Sequence, residues 1–350
     1  MLDRTVKAGG YASQLRQELA LRGRKYARGR AHEESYGSAP VIVFPPENGR
    51  HGNFFDTAYE AITGRPEWLR RFDKVHAQAG RSLPNPPDPA RRWRELDSSM
   101  SSDALLMNVF CAPGVVESPA VRNALGIEDD AAPVFGWKAR VPLTTGRFDR
   151  TEVDMQLGSL LVEAKLTEGN FQTREARIVE AYRDFDEVFD RELLPRVELT
   201  LVRRKEPVEF PEAYSQEFES AIDTTLPLAA PGEFEARSPS TLAAEEFNSK
   251  RESERGYANY QLMRNVLAAY ATRCRFCVVH DERRPDLREA WFQTMAAVKS
   301  ADLRVRLMVL TWQELAAYLP AALQEFLDLK YGIVAPGLTA SLVDEAAEFD

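Results

Sequence analysis

The sequence predicts an α/β fold, a mixed sheet flanked by helices, and three observations carry the prediction. Residues 151–168, TEVDMQLGSLLVEAKLTE, read as two short strands joined at Gly158-Ser159. Downstream, strand and helix signals alternate: FCVVH at 276–280, a helix over 286–299, RVRLMVL at 304–310 and a helix from Thr311 to about Leu327. That order favours parallel pairing. An antiparallel hairpin beside a parallel unit makes the sheet mixed.

In chain order, residues 11–30 read as a basic helix, and VIVF at 41–44 as a short buried strand stopped by Pro45-Pro46. The proline-dense LPNPPDPARRW at 83–93 reads as a loop. It divides an N-terminal extension, 1–94, from a core over 95–330. Ser98 or Ser99 caps a helix through Phe110, on which Leu105, Leu106 and Val109 repeat with helical spacing. Residues 173–191 form an amphipathic helix whose stripe is Ala176, Val179, Tyr182, Phe185, Val188 and Phe189. RVELTLVRR at 196–204 alternates like a strand. The stretch 205–250, rich in Pro, Glu, Ser and Ala, reads as an insertion. A helix over 253–272 takes in Tyr257, Tyr260, Gln261, Arg264, Val266 and Leu267, and residues 331–350 form an acidic tail.

The hairpin carries the chemistry. Gly at the first loop position suits a two-residue type II′ turn. Leu157 then faces Leu160, Met155 faces Val162, Asp154 faces Glu163 and Glu152 faces Lys165. Side chains alternate along a strand, so Glu152, Asp154, Glu163 and Lys165 share one face. Val153, Met155, Val162, Ala164 and Leu166 point to a core on the other. Like charges directly opposed destabilise a sheet, so two facing carboxylates invite a shared proton or a divalent cation. Mg²⁺ takes hard oxygen ligands, commonly one or two carboxylates with phosphate oxygens and water. A lysine beside such an ion can act on a water and on the charge of the attacked phosphate. The set points to metal-assisted phosphodiester hydrolysis. A half-exposed strand with solvated Glu163 and Lys165 is the plain alternative.

D-x(8)-E-A-K on consecutive strands resembles the signature of the PD-(D/E)xK nuclease superfamily, the restriction-endonuclease-like fold. SSDALLMNVF at 101–110 with Ser98 and Ser99, EAKLTE at 163–168 and YQLMRN at 260–265 resemble a bacterial branch of it. The resemblance covers roughly residues 95–320; Val153 stands where the signature has proline. It implies that Asp154 and Glu163 hold Mg²⁺ (or Mn²⁺) and that Lys165 works on the attacking water. Gln261 would orient a water and Arg264 would contact phosphate, unless that helix face only pairs with nearby acids. Asp103, Asn108 and Glu117 lie where the fold often adds a polar ligand, and Glu168 where it could support one. Glu152 would act as an auxiliary, or simply pair with Lys165 across the strands. The implied activity is a DNA endonuclease of restriction, defence, repair or mobile-element processing. The alternative is a catalytically idle nucleic-acid-binding or protein-interaction member of the same fold. Many relatives act as dimers, but the residues carry no dimer signature, so a homodimer stays open.

Composition narrows the field. The chain has 350 residues, 44% hydrophobic and 28% charged, ordinary for a globular protein. No apolar run spans a bilayer and no secretory h-region opens the chain, which places it away from membranes and in the cytoplasm. Three cysteines, Cys111, Cys274 and Cys277, make no disulfide framework, and CRFCVVH reads as a strand with small buried thiols rather than a zinc or redox site. His280 has no serine or cysteine elbow beside it. No phosphate-binding glycine loop, dinucleotide fingerprint or H-E-x-x-H motif occurs. A net charge of −9 is unusual for a DNA enzyme. Positive charge is local: Arg4, Lys7, Arg16, Arg22, Arg24, Lys25, Arg28 and Arg30 near the N-terminus, and Arg91, Arg92 and Arg94 around Trp93. Both clusters are either phosphate-tracking patches or solvated faces.

Overall fold

The computed structural model describes residues 10–36, 40–76, 83–200 and 253–337. It divides into two units, Met1–Val197 with Gly256–Asp350, and Glu198–Arg255. Of the second, only 198–200 and 253–255 are described, inside strands Arg196–Thr200 and Ser253–Tyr257. The insertion expected at 205–250 and most of the acidic tail lie outside the described residues.

The first unit is built on a five-stranded mixed sheet. Its strands are β1 (Val134–Lys138), β2 (Glu152–Leu157), β3 (Leu160–Ala164), β4 (Arg275–His280) and β5 (Leu307–Thr311), and they lie in the order 5-4-3-2-1. β1–β2 and β2–β3 are antiparallel, β3–β4 and β4–β5 parallel. The hairpin register is the expected one, Leu157 on Leu160 and Met155 on Val162. Gly158 adopts φ 57°, which its missing Cβ permits.

Helices cover both faces. They are α1 (Gly10–Ala27), α2 (Ser102–Phe110), α3 (Tyr260–Thr272), α4 (Pro285–Ala296), α5 (Trp312–Ala316) and α6 (Ala321–Tyr331). Leu160, Val162, Ala164, Cys277 and Val279 share one apolar cluster with α1, α2, α5 and α6. Leu161, Phe276 and Val278 share the other with α3 and α4. The central strand β3 is therefore buried on both faces, as a near-continuous apolar run should be.

Several elements differ from the sequence expectation, each for a local reason. The N-terminal segment is no separate extension: Leu15, Leu19, Phe54, Ile62 and Trp68 join the sheet's first cluster. Ser101, not Ser98 or Ser99, caps α2, its hydroxyl accepting the Ala104 N–H. Ser99 donates its backbone N–H to Ile42 and Ser98 bridges Val43, so both are held in extended backbone. The helix expected over 173–191 is two single turns, Ala176–Val179 and Phe185–Val188. Between them Ala181 and Arg183 hydrogen-bond to Thr144 and Pro142, which draws the backbone out of helix. Tyr257 ends a strand, and α3 starts after Asn259, whose φ of 61° breaks the run. The last expected helix is split between α5 and α6 at Pro320, which has no N–H to continue it. Strand β5 starts at Leu307, because Ala301–Arg304 form a helical turn.

Candidate active site

Backbone pairing of the hairpin stops at Met155–Val162, and Asp154 and Glu163 stand next along the two strands. There the Asp154 carboxylate, not a backbone carbonyl, accepts the Ala164 N–H, at 2.8 Å. The ladder is interrupted, and the strand turns: Val153 packs with α3 and Leu161, not on the Met155 face as alternation predicts. The other Asp154 oxygen has no hydrogen-bond partner among the described residues and Asp154 stays partly exposed. Burial, then the charges of Glu163 and Asp103, push its carboxyl well above the usual range.

Glu163 is buried at 1% exposure in the middle strand. One oxygen lies 2.9 Å from Lys165 Nζ and the other accepts from Asn265 Nδ2 at 2.7 Å. Lys165 is held at both backbone ends, its N–H on Val279 and its carbonyl on the Trp312 indole. Its ammonium also donates to Gln261 Oε1 at 3.0 Å. Burial alone would lower the Lys165 pKa, but Glu163, Glu168 and Asp154 outweigh it and raise it. The lysine is a cation here, suited to holding a water or a phosphate oxygen.

Asp154, Glu163, Lys165 and Gln261 are thus brought together, whereas two other sequence candidates have different partners. Glu152 does not pair with Lys165. The interrupted ladder separates them, and Glu152 bonds Arg71 at 2.8 Å. Arg264 is buried and spends its guanidinium on the Glu152 carbonyl and on Asn265. It orients Asn265, the residue that holds Glu163. Asp103, on α2, pairs with Arg71 at 3.0 Å and with Lys74 at 3.5 Å. Asn108 is buried in bonds to Asn53, Phe55 and Ala104, which leaves it a structural part. Glu168 accepts the Leu166 N–H at 2.7 Å and the Ser102 hydroxyl, closing the loop after Lys165.

Sequence reasoning missed Arg71, Asn265 and Arg284. Arg284 is fully buried and donates to the carbonyls of Leu166, Glu168 and Gly169 while pairing with Asp286 at 2.7 Å. Asn265 stood in the quoted YQLMRN beside Arg264, and a polar pair inside an apolar helix stripe was its available signal. Arg71 and Arg284 had none, since one arginine among many has no local mark.

Elsewhere the chemistry is closed off. Cys111, Cys274 and Cys277 are free and buried, and burial pushes the Cys277 thiol up. His280 is buried, which lowers its pKa even though its ring nitrogen bonds the Asp281 carbonyl, and no serine or cysteine stands beside it as a nucleophile in the sequence. Arg91 pairs with Asp97 at 2.7 Å and Arg94 donates to the Asp73 carbonyl, so of that basic cluster only Arg92 is exposed.

A family model described as restriction endonuclease associating with ARP matches residues 20–332. The chain belongs to this family. The match takes in the end of α1 and the region before the proline-dense loop, which the shared core also includes. No curated protein and no solved structure matches the chain. No helix of the described residues is long and apolar enough to cross a membrane.

The donor set can be weighed against a metal ion. Among the described residues no three His, Cys, Asp or Glu side chains gather as a ready ion cage. Asp154 and Glu163 alone provide hard oxygens, and Asp154 keeps one open. Two carboxylates completed by water and phosphate oxygens suit Mg²⁺ or Mn²⁺ and do not suit a metal that needs an all-protein cage.

Proposed function

We propose that the chain is a metal-dependent nuclease of the PD-(D/E)xK type, most plainly a DNA endonuclease. The observation that carries the reading is the Glu163–Lys165 pair, 2.9 Å apart, with the Asp154 carboxylate bonded to the N–H of the intervening Ala164. Asp154 and Glu163 would hold a divalent cation, Mg²⁺ or Mn²⁺, which would supply Lewis acidity toward a phosphate oxygen. Lys165 positions the attacking water and offsets charge growing on the phosphorus oxygens. Gln261 fixes the ammonium, and Asn265 with Arg264 fixes Glu163. The mixed sheet with α2 on one face and α3 on the other supports reading the core as restriction-endonuclease-like. The family description carries an association with ARP, and we extend that to this chain as its protein partner.

The test is cleavage of plasmid and oligonucleotide DNA with Mg²⁺ or Mn²⁺, beside a folded Lys165→Ala variant. Loss of cleavage by about a hundredfold or more in the variant is expected of a group acting on the water. Equal cleavage by both chains rejects this site. No cleavage and no metal binding leaves the idle-member reading standing.

A further inference from the structure

The cations set around the site are nearly all taken up by other groups of the fold. Arg71 divides its guanidinium between Asp103 and Glu152, and Lys74 also lies on Asp103, at 3.5 Å. Arg284 is fully buried against Asp286, and Arg264 is buried on the Glu152 carbonyl and Asn265. Arg16, on α1, differs from all four. It is exposed, and among the described residues its hydrogen bond runs to a neutral group, the Thr167 carbonyl, at 2.6 Å. We propose that Arg16 is a substrate-holding residue: its guanidinium seats a DNA backbone phosphate next to the one attacked at Lys165. The inference rests on the nuclease reading above for its substrate and does not depend on the metal.

Thr167 stands two residues past Lys165, so at most about 7 Å of chain separates the two backbones. An anion on Arg16 is thereby placed as a neighbour of the attacked phosphate. The carbonyl under Arg16 is itself fixed, because Arg284 holds the carbonyls of Leu166, Glu168 and Gly169 around it. The bond to Thr167 occupies one terminal nitrogen and leaves the rest of the planar fork to a ligand. No carboxylate pairs with Arg16 among the described residues. Partial burial and then the like charge of Arg284 lower its pKa, and Glu168 offsets them only in part. Glu168 spends its oxygens on the Leu166 N–H and the Ser102 hydroxyl. A cation left under-neutralised in this way gains from an incoming anion. Phosphate suits it, since charge-assisted bonds from arginine to phosphate are strong and frequently bidentate.

Fluorescence anisotropy of a labelled DNA duplex, titrated with the full chain in EDTA at several salt concentrations, tests this apart from cleavage. Arg16→Lys keeps the charge; Arg16→Gln keeps a donor for the Thr167 carbonyl and loses the charge. Arg16→Gln is expected to bind more weakly and to flatten the slope of log affinity against log salt by roughly 0.9, the share of one phosphate contact. Arg16→Lys is expected to match the wild-type slope. A wild-type slope in Arg16→Gln means that the residue only fastens the loop, and overturns the proposal. Equal flattening in both variants overturns it too, since lysine retains the charge. Wild type that binds no DNA, in EDTA or with added Ca²⁺, rejects the polyanionic substrate itself and this inference with it. Should Arg16→Gln not fold, by far-ultraviolet circular dichroism, phenylglyoxal labelling of the wild-type arginines decides. DNA is expected to shield Arg16 from the reagent, and labelling of Arg16 unchanged by DNA overturns the proposal.

Discussion

The ionised Asp154 carboxylate is expected to destabilise the fold it sits in, and that makes its role measurable. Burial and the neighbouring carboxylates raise its pKa in the folded chain above the unfolded value. The folded state therefore binds the proton more tightly than the unfolded state does. Stability is greatest below the unfolded carboxyl value, about 3.9, and is lost as pH rises through the raised folded value. An asparagine keeps the acceptor for the Ala164 N–H and removes the charge. Without metal, Asp154→Asn is expected to show a higher urea midpoint than wild type at pH 7, with the gap closing toward pH 4. An equal or lower midpoint at pH 7 would mean that the carboxylate is not under this strain. Wild-type metal affinity should rise across the same window, since the ion needs the deprotonated carboxyl. Mn²⁺ titrations at pH 5, 6 and 7 read it directly, and a flat profile argues against Asp154 as a ligand.

At the scale of elements, the loop from Leu166 to Gly169 sets how well Lys165 is held. It is fastened from outside itself: Arg284, just before α4, donates to three of its carbonyls, and Arg16 on α1 donates to Thr167 at 2.6 Å. Arg284 is 0% exposed, and removing it strands those carbonyls and leaves Asp286 without its partner. Arg284→Ala is expected to cost about 3–5 kcal/mol in urea denaturation, the usual loss when one partner of a buried ion pair is removed. A cost under about 1 kcal/mol, the scale of a surface pair, would mean that the loop is held by something else.

For the whole molecule, the net charge of −9 must be reconciled with the polyanionic substrate proposed above. Among the described residues, Arg71, Arg91, Arg264, Arg283 and Arg284 are already paired internally. In the last turn of α1, Lys25, and just past its end, Arg28, are exposed and carry no side-chain partner among the described residues. They offer the helix's open cations to a phosphate backbone, and the same helix reaches the Lys165 loop through Arg16. Each phosphate contact adds roughly 0.9 to the slope of log affinity against log salt on duplex DNA. Lys25→Ala with Arg28→Ala is therefore expected to weaken DNA binding and flatten that slope by about two units. An unchanged slope would place the DNA on another face.

The sequence by itself determined what depends on neighbours along the chain. The hairpin register followed from Gly158-Ser159 and the alternation of apolar residues, and with it came the placement of Asp154 beside Glu163. The parallel unit followed from strand–helix order, and the buried thiols from the apolar strand around them. Tertiary structure decided what depends on groups distant in sequence. Asp154 capturing the Ala164 N–H broke the ladder and parted Glu152 from Lys165. The bonds of Ala181 and Arg183 with Thr144 and Pro142 undid an amphipathic helix whose apolar spacing was intact. Arg71, Asn265 and Arg284 acquired their roles from partners roughly 30 to 120 positions away, and no local periodicity encodes such a meeting. Hydrophobic spacing sets elements and faces; the pairing of buried charges is settled only when those faces close on one another.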